Sequence, residues 1–297
     1  MARQSTFGST PAVRTGATTV RRYSVWTTLA TIGKYAYLCL FSVFFLFPIY
    51  WIATSAFKLP GDILTYPPVW VPDTWTLQNF DVAITRYNGI GALTNSLIVA
   101  AGSTLAALVI GTMAGYSMAR YNTGGRHLSF WLLTQRMIPA VSLIFPTFLL
   151  FKEIGWIDTH QSLIVLYTVA ALPFTVWMTR GYIVEIPYEV EESALVDGCT
   201  RLQVLWRITL PLAAPGLAAT AIFVFVWGWT EFLSAVILGR TNAVTLPVTL
   251  SGFFGTQNSI YGVASALALI AMVPVFILAL LMQRHLVRGL TLGAVKG

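Results

Sequence analysis

The feature that most constrains this sequence is a polar segment, residues 186–211, that lies between long hydrophobic runs. It reads IPYEVEESALVDGCTRLQVLWRITLP and holds four of the eleven acidic residues of the chain: Glu189, Glu191, Glu192 and Asp197. A hydrophobic chain that keeps its charges in one short segment must place that segment in water or against a polar partner. The segment is therefore the first candidate for a functional surface.

Composition indicates an all-α membrane protein. The chain is 56% hydrophobic and 10% charged, whereas an ordinary soluble domain is about 25% charged. Apolar runs long enough to cross a bilayer, about 20 residues each, recur along the sequence. They predict six transmembrane helices: Tyr35–Phe57, Ala92–Ala119, Ser129–Phe151, Gln161–Ile183, Leu212–Leu238 and Gly262–Met282. The polar segment then lies between spans four and five, and both termini lie on one side.

The distribution of basic residues predicts which side that is. The net charge is +7. With the N-terminus in the cytoplasm, thirteen Lys and Arg residues fall in cytoplasmic segments, four fall in outer loops, and Arg136 falls within a span. This asymmetry follows the positive-inside rule. The basic excess is thus explained by topology, and nucleic acid is not expected as a partner.

The two ends of the chain differ in character. Residues 1–30 are polar, rich in Ser, Thr and Arg and without acids, and we expect a flexible cytoplasmic tail there. The first apolar run is too long for the core of a cleavable signal peptide. Residues 31–297 are expected to form one membrane domain.

Nothing in the sequence predicts a catalytic or metal site. Cys39 lies in the first span and Cys199 in the polar segment, so a disulfide is not expected. The histidines, His127, His160 and His285, have no ligand spacing. We expect neither a bound metal nor a cofactor in this chain.

Residues 186–211 are predicted to form two short helices joined by a sharp turn. Pro187 suits the first position of a helix, and the acids that follow it are favoured there by the helix dipole. Gly198 is a natural helix stop. Thr200 and Gln203 have the spacing of a capping box, and the second helix is expected to stop near Pro211. Such an elbow could carry motion from a soluble partner into the membrane.

The same segment carries a motif. Glu192-Ser193-Ala194 is followed after three residues by Gly198 and after nine more by Ile208-x-Leu210-Pro211. This pattern resembles the EAA loop of ATP-binding-cassette importer permeases, with Ser193 as its one departure. In that family the loop docks the ATPase. The resemblance implies a coupling role for Glu192, Ser193, Ala194, Asp197, Gly198, Ile208, Leu210 and Pro211.

Further segments are similar to the maltose-type carbohydrate permeases, specifically the MalG-like partner. They are Thr76–Phe80, Arg136–Pro139 with Phe145-Pro146, Trp229–Leu233, and the C-terminus QRHLVRGLTLGAVKG. The likeness spans roughly residues 35–297. It implies a heterodimer with a second permease, two ATPase subunits that use ATP and Mg²⁺, and an external solute-binding protein, in the cytoplasmic membrane of a bacterium or archaeon. The sequence has no G-x-x-x-x-G-K-[ST] phosphate loop, so the chain is expected to be non-catalytic.

Charged and aromatic residues inside the spans are candidates for the solute path. Intramembrane charges usually face a cavity or the bundle interior, and Glu231 and Arg136 lie at depths that make a direct salt bridge between them doubtful. Sugar sites use aromatic faces and polar partners. The candidates are Glu231, Trp229, Trp227, Asn95 and Arg136, with Tyr167 and Phe145 beside them.

Three alternatives stay open at this point. An ion-coupled secondary transporter would need paired ionisable groups near the midplane, and here Arg136 and Glu231 are unpaired. A membrane enzyme would need converging nucleophile, base or metal ligands. Within the importer class, glycerol 3-phosphate is the alternative solute to a di- or oligosaccharide or related polyol.

Overall fold

The fold is all-helical over the residues that this computed structural model describes, 25–253 and 260–291. In them the α-helices are α1 (Val25–Ala56), α2 (Gln78–Thr85), α3 (Gly89–Tyr121), α4 (Gly125–Thr134), α5 (Ala140–Glu153), α6 (His160–Val184), α7 (Tyr188–Val196), α8 (Arg201–Val204), α9 (Leu210–Thr230), α10 (Leu233–Leu238), α11 (Leu246–Ser251) and α12 (Tyr261–Thr291). Short 3₁₀ turns cover Pro60–Asp62 and Gln135–Met137, and a π-helical turn covers Leu205–Thr209. The predicted all-α class is confirmed.

Five of the helical segments are long and apolar enough to cross a membrane. They are Leu29–Ala56, Gly89–Tyr121, His160–Val184, Arg201–Thr230 and Tyr261–Leu281. A sixth crossing is available if the bent pair α4–α5 counts as one span. Residues 25–30, which the sequence predicts as part of the flexible tail, belong to α1. The rest of the predicted tail, and residues 292–297, lie outside the described residues.

The predicted third span is a broken helix and not a continuous one. Helices α4 and α5 meet at an angle of 92°. Ile138 is extended, with φ −74° and ψ 123°, because a residue before proline is pushed out of the α conformation. Pro139 also has no N–H to continue the ladder. Arg136 therefore sits in the short 3₁₀ turn at the bend, so the segment predicted as the third span, residues 129–151, is bent instead of forming one straight helix.

The predicted fifth span is also interrupted. Helix α9 ends at Thr230, and Glu231 is extended, with φ −66° and ψ 128°. The Glu231 carboxylate accepts a hydrogen bond from the backbone N–H of Ser234 at 3.1 Å, which satisfies a free donor at the start of α10. The sequence predicts one span over residues 212–238, with Glu231 as a charge inside it. Glu231 is instead the residue at which that helix breaks.

Helices α3, α6 and α9 form the framework that positions the sites described below. Helices α3 and α6 approach closely because glycines of α3 face threonines of α6. A Cβ added to Gly111 would lie 2.6 Å from the Cγ2 atom of Thr175, and one added to Gly115 would collide with Thr179. The Thr179 hydroxyl donates to the Gly111 carbonyl at 3.1 Å. Small residues and inter-helix hydrogen bonds of this kind hold helices together in membranes.

The chain divides into two compact units, residues 1–50 and 51–297. In the first, the described part of α1 is a single apolar helix with exposed side chains such as Leu40 and Phe44. The second unit contains α2 to α12. Every contact used below lies within residues 51–297.

Candidate functional site

The polar segment forms the predicted elbow of two short helices. Pro187 directly precedes α7. Helix α7 closes with the N–H of Cys199 on the Ala194 carbonyl at 3.0 Å and the N–H of Gly198 on the Leu195 carbonyl at 3.1 Å, which is the Schellman pattern. Gly198 has a φ of 89°, as this pattern requires. The predicted helix stop and sharp turn are confirmed.

Helix α8 begins at the predicted capping box. The Thr200 hydroxyl accepts from the Gln203 N–H at 3.3 Å, and the Gln203 side chain accepts from the Thr200 N–H at 2.7 Å. The helical conformation does not end at Pro211, however, so the predicted stop of the second helix was wrong. The π-helical turn Leu205–Thr209 leads straight into α9, where Pro211 lies in the first turn. A widened turn gives room for the proline ring and its missing N–H, so the elbow continues directly into a membrane span.

Glu191 is the anchor of the elbow. Its carboxylate accepts hydrogen bonds from the Arg120 Nε–H at 2.9 Å, the Thr209 hydroxyl at 2.8 Å and the Tyr116 hydroxyl at 3.2 Å. The side chains of Arg120 and Glu191 are only 6% and 3% exposed. Arg120 also donates to the Ile186 carbonyl at 2.9 Å. One buried acid on α7 thus binds α3 through Tyr116 and Arg120, and the start of α9 through Thr209.

Sequence reasoning missed this anchor. It treated Glu191, like Glu189 and Glu192, as one of the acids that the helix dipole favours at the start of the first short helix. Successive helical residues point about 100° apart, so two adjacent glutamates cannot share a face. An inward glutamate needs a partner, and Arg120 at the end of α3 was the available signal.

The face of α7 opposite Glu191 is open. Five of the residues predicted for ATPase coupling are exposed: Glu192, Ser193, Asp197, Gly198 and Pro211. Ile208 and Leu210 are half-buried, and Ala194 is 7% exposed. The Ala194 methyl group therefore packs inward, although the resemblance implies a coupling role for this residue. Val196, which is 87% exposed, gives the open face an apolar centre.

Beneath the elbow lies a small apolar core. Its buried members are Tyr116, Ile183, Ile186, Leu205 and Ala213. Leu205 therefore packs against the span ends, whereas Leu202 and Trp206 are 61% and 58% exposed. The elbow is held by this core and by the Glu191 cluster together.

The candidate solute-path residues fall into separate environments. The Glu231 carboxylate accepts hydrogen bonds from the Tyr167 hydroxyl at 2.7 Å and from the N–H and the hydroxyl of Ser234. Trp227 packs edge-on against Tyr167, with ring centroids 5.6 Å apart. Glu231 is thus a satisfied acid that ties α6 to α10, and Trp227 covers its partner.

Trp229 and Asn95 are built into the protein framework. Trp229 is 5% exposed and stacks on Phe225. The Asn95 side-chain amide donates to the carbonyls of Asn242 and Val244 at 2.8 and 2.9 Å, and its oxygen lies 2.8 Å from His160 Nε2. These contacts make both residues structural supports, and neither borders the cavity described next.

Arg136 borders an intramembrane cavity of about 220 Å³. Its guanidinium carbon lies 5.4 Å from the centre of the Phe174 ring. The remaining walls come from α6 and α9. The cavity-lining side chains include Arg136, Ala170, Ala171, Phe174, Phe223 and Trp227. Of the predicted path residues, Arg136 and Trp227 are therefore brought together.

A second elbow, at the other end of α6, is built around Asp158. This residue has a φ of 61°, and its carboxylate accepts the backbone N–H groups of residues 240, 241, 242 and 243 at 2.7 to 3.1 Å. Partial burial alone would raise the pKa of the Asp158 carboxyl, but these four N–H groups outweigh it and lower that pKa to about 2. The loop after α10 is thus folded around one ionised acid. Sequence reasoning missed it, because residues 158 and 240 are far apart in the chain.

The described part of the chain contains no cluster of side chains that could form a metal site. No group of three or more His, Cys, Asp or Glu side chains comes together there. Cys39 and Cys199 are free thiols.

Comparison with known proteins identifies the family. Residues 107–292 match the model of the binding-protein-dependent transport system inner membrane component. The diacetylchitobiose uptake system permease protein DasC of Streptomyces coelicolor is 35% identical over 84% of this chain and 92% of its own. The trehalose/maltose transport system permease protein MalG of Thermococcus litoralis is 33% identical over 87% of this chain and 94% of its own.

The fold has a counterpart among solved structures. A chain of a bacterial ABC transporter involved in the import of the acidic polysaccharide alginate superposes with a TM-score of 0.76, at 20% identity, over 88% of this chain and 98% of the other. At that identity the likeness shows the fold. Proteins of the matched family are non-catalytic membrane subunits that work with an ATPase and a solute-binding protein. This chain belongs to the family of inner membrane components of binding-protein-dependent transport systems, as an ABC importer permease.

Proposed function

We propose that this chain is one of two different permeases in an ATP-driven sugar importer. Two ATPase subunits dock from the cytoplasm, where they use ATP and Mg²⁺, and an external binding protein delivers the solute. The chain itself binds no nucleotide. The resemblance of residues 35–297 to maltose-type permeases supports the heterodimer, and the relatives that take up diacetylchitobiose and trehalose/maltose support a di- or oligosaccharide or related polyol.

The elbow faces the cytoplasm in this proposal. The asymmetry of Lys and Arg along the sequence supports it, and it places both termini on the same side. Asp158 and the loop after α10 then face outward, toward the binding protein.

Coupling follows from the two faces of α7. The exposed face, with Glu192, Ser193, Val196 and Asp197, meets the ATPase. The buried face carries Glu191, whose carboxylate is bonded to α3 and to the start of α9. Movement of the ATPase therefore shifts the elbow together with two helices of the framework, and alternating access follows from their displacement. The observation that carries the proposal is that one short helix, α7, has exposed acids on one face and a buried, hydrogen-bonded acid, Glu191, on the other.

The experiment reverses the charge of two exposed acids of α7, one variant at a time. Glu192→Lys replaces attraction by repulsion at the docking contact, which can cost several kcal/mol. Glu189→Lys, on the same helix and also exposed, is the matched control and loses about 0.3–1 kcal/mol of helix-dipole stabilisation. Copurification of the ATPase with the tagged permease is measured at equal membrane abundance. Glu192→Lys is expected to reduce recovery at least about tenfold. Equal recovery from both variants would place the contact elsewhere.

A further inference from the structure

The second short helix of the elbow has an exposed face to which the family motif assigns no role. The motif fixes Gly198 and Ile208 and specifies none of the nine residues between them. The buried side of this helix is formed by Val204, Leu205 and Thr209. The opposite side is exposed and consists of two rows of residues four apart, the spacing of neighbours on a helix: Leu202 with Trp206, and Gln203 with Arg207. One row is apolar, and the other is polar and ends in a cation.

This exposed face lies at the surface of the membrane. The helical segment Arg201–Thr230 is one continuous candidate span. Its part α9 has 21 residues, which at 1.5 Å per residue cover about 30 Å, the thickness of the hydrocarbon core. Trp206 and Arg207 come just before Leu210, where α9 begins, so they lie within about 6 Å of the nearer edge of that core. This is the depth of the lipid headgroups.

The two helices of the elbow carry opposite charges. Residues 188–198 contain four acids and no base, whereas residues 199–211 contain Arg201 and Arg207 and no acid. Within the described residues the ion pair joins Arg120 to Glu191, and neither of these two arginines has a carboxylate partner there. Arg201 donates instead to the neutral Tyr121 hydroxyl at 3.1 Å. The elbow therefore carries unbalanced positive charge beside the membrane surface.

We propose that this face binds anionic phospholipid headgroups. Arg207 and Arg201 pair with lipid phosphates, and Leu202 and Trp206 insert at the boundary between headgroups and acyl chains. A leaflet with negative headgroups attracts cations at its surface. The ATPase suits this face less well, because a partner surface that attracts the acids of α7 is positive and repels the arginines. The inference rests on the proposed function for the choice of the cytoplasmic leaflet, and it adds a lipid partner to that function.

The test measures which lipid contacts Trp206. After ATPase copurification has been verified, the complete complex is placed in nanodiscs of one fixed mixture of phosphatidylglycerol and phosphatidylcholine. Bromine atoms, which quench tryptophan fluorescence on contact, are carried on the acyl chains of one lipid or of the other, at equal mole fraction. The chain has ten Trp residues, so the Trp206 signal is the difference between wild type and Trp206→Phe. We expect at least about fivefold stronger quenching from phosphatidylglycerol, the enrichment that one surface cation produces.

Three variants show whether the arginine charge causes this preference. Arg207→Gln should lose most of the preference for phosphatidylglycerol, whereas Arg207→Lys, which keeps the charge, should retain it. Arg126→Gln is the matched control, because it removes one positive charge from the start of another helix, α4, and it should leave the preference unchanged.

Several results would overturn the lipid contact. One is equal quenching by the two lipids in wild type, and another is an equal loss of preference in Arg126→Gln and Arg207→Gln. A Trp206 signal that neither lipid quenches also overturns it, because the ATPase or the partner permease then covers the face. Failure of the ATPase to copurify would instead refute the proposed function. The quenching comparison would still decide the lipid contact in that case, because both leaflets of a nanodisc have the same composition.

Discussion

The two elbows at the ends of α6 each contain a side-chain carboxylate that is fixed by hydrogen bonds. The donors of those hydrogen bonds differ between the two elbows. Asp158 is bonded by the backbone N–H groups of residues 240–243, so its partners do not depend on which side chains the loop carries. Glu191 is bonded by the side chains of Arg120, Tyr116 and Thr209, which belong to two membrane helices. The first arrangement shapes a loop locally. The second joins separate helices, which is what a device that transmits movement requires.

The largest effect should come from Glu191→Ala. It leaves the Arg120 guanidinium buried without its acid, and breaking such a pair costs about 3–5 kcal/mol. We expect a lower unfolding temperature of the purified complex and a loss of uptake. Glu191→Gln should fall between wild type and Ala, because the amide can still accept from Thr209 but cannot balance the charge.

The matched control for this prediction is Glu189→Ala, an exposed acid two positions away on the same helix. It should change the unfolding temperature little. If Glu189→Ala and Glu191→Ala had equal unfolding temperatures, the buried ion pair would contribute nothing to stability. The contrast between the two elbows would then disappear.

A smaller effect is expected from Gly198→Val. Gly198 has a φ of 89°, and a left-handed conformation costs about 1–2 kcal/mol for an ordinary L-residue, with a further penalty for a β-branched one. No atom lies within 4 Å of an added Cβ, so the backbone and not crowding is the cause. Gly181→Ala, which also meets empty space but lies inside α6, is the control. ATPase copurification should fall for Gly198→Val alone; a similar fall for Gly181→Ala would remove the backbone explanation.

The smallest effect is expected at the other elbow, from Asp158→Asn. Because the folded-state pKa of Asp158 is lowered to about 2, the stabilisation is fully present above the unfolded pKa of about 4 and is lost as pH falls toward 2. After allowance for its partial exposure it amounts to about 1 kcal/mol. The difference in unfolding temperature between wild type and variant should therefore shrink from pH 5 to about pH 2.5. A difference that does not change with pH would mean that the charge of Asp158 is not what holds the loop.

The same contrast explains what the sequence could predict. Apolar runs located the five long apolar helices and the bent α4–α5 pair, and Gly198, Thr200 and Gln203 located the elbow, because these signals are local. Hydropathy did not predict the breaks at Pro139 and Glu231, because each run stays apolar on average although Arg136 and Glu231 lie within it. The ion pair of Glu191 with Arg120 joins residues 71 positions apart, and the loop around Asp158 is held by residues at least 82 positions away. Only the folded chain brings them together.

The central claim is that the elbow moves as one body with α3 through Glu191. Spin labels at Val190→Cys on α7, which is 39% exposed and is not among the residues assigned to the ATPase contact, and at Met113→Cys on α3, with Cys39→Ser and Cys199→Ser, report the distance between the two elements by pulsed electron paramagnetic resonance. In the assembled complex we predict one narrow distance distribution that stays the same without nucleotide and with ATP trapped, and a broad distribution in Glu191→Ala. A wild-type distance that changes with nucleotide, or a Glu191→Ala distribution as narrow as that of wild type, would contradict the account.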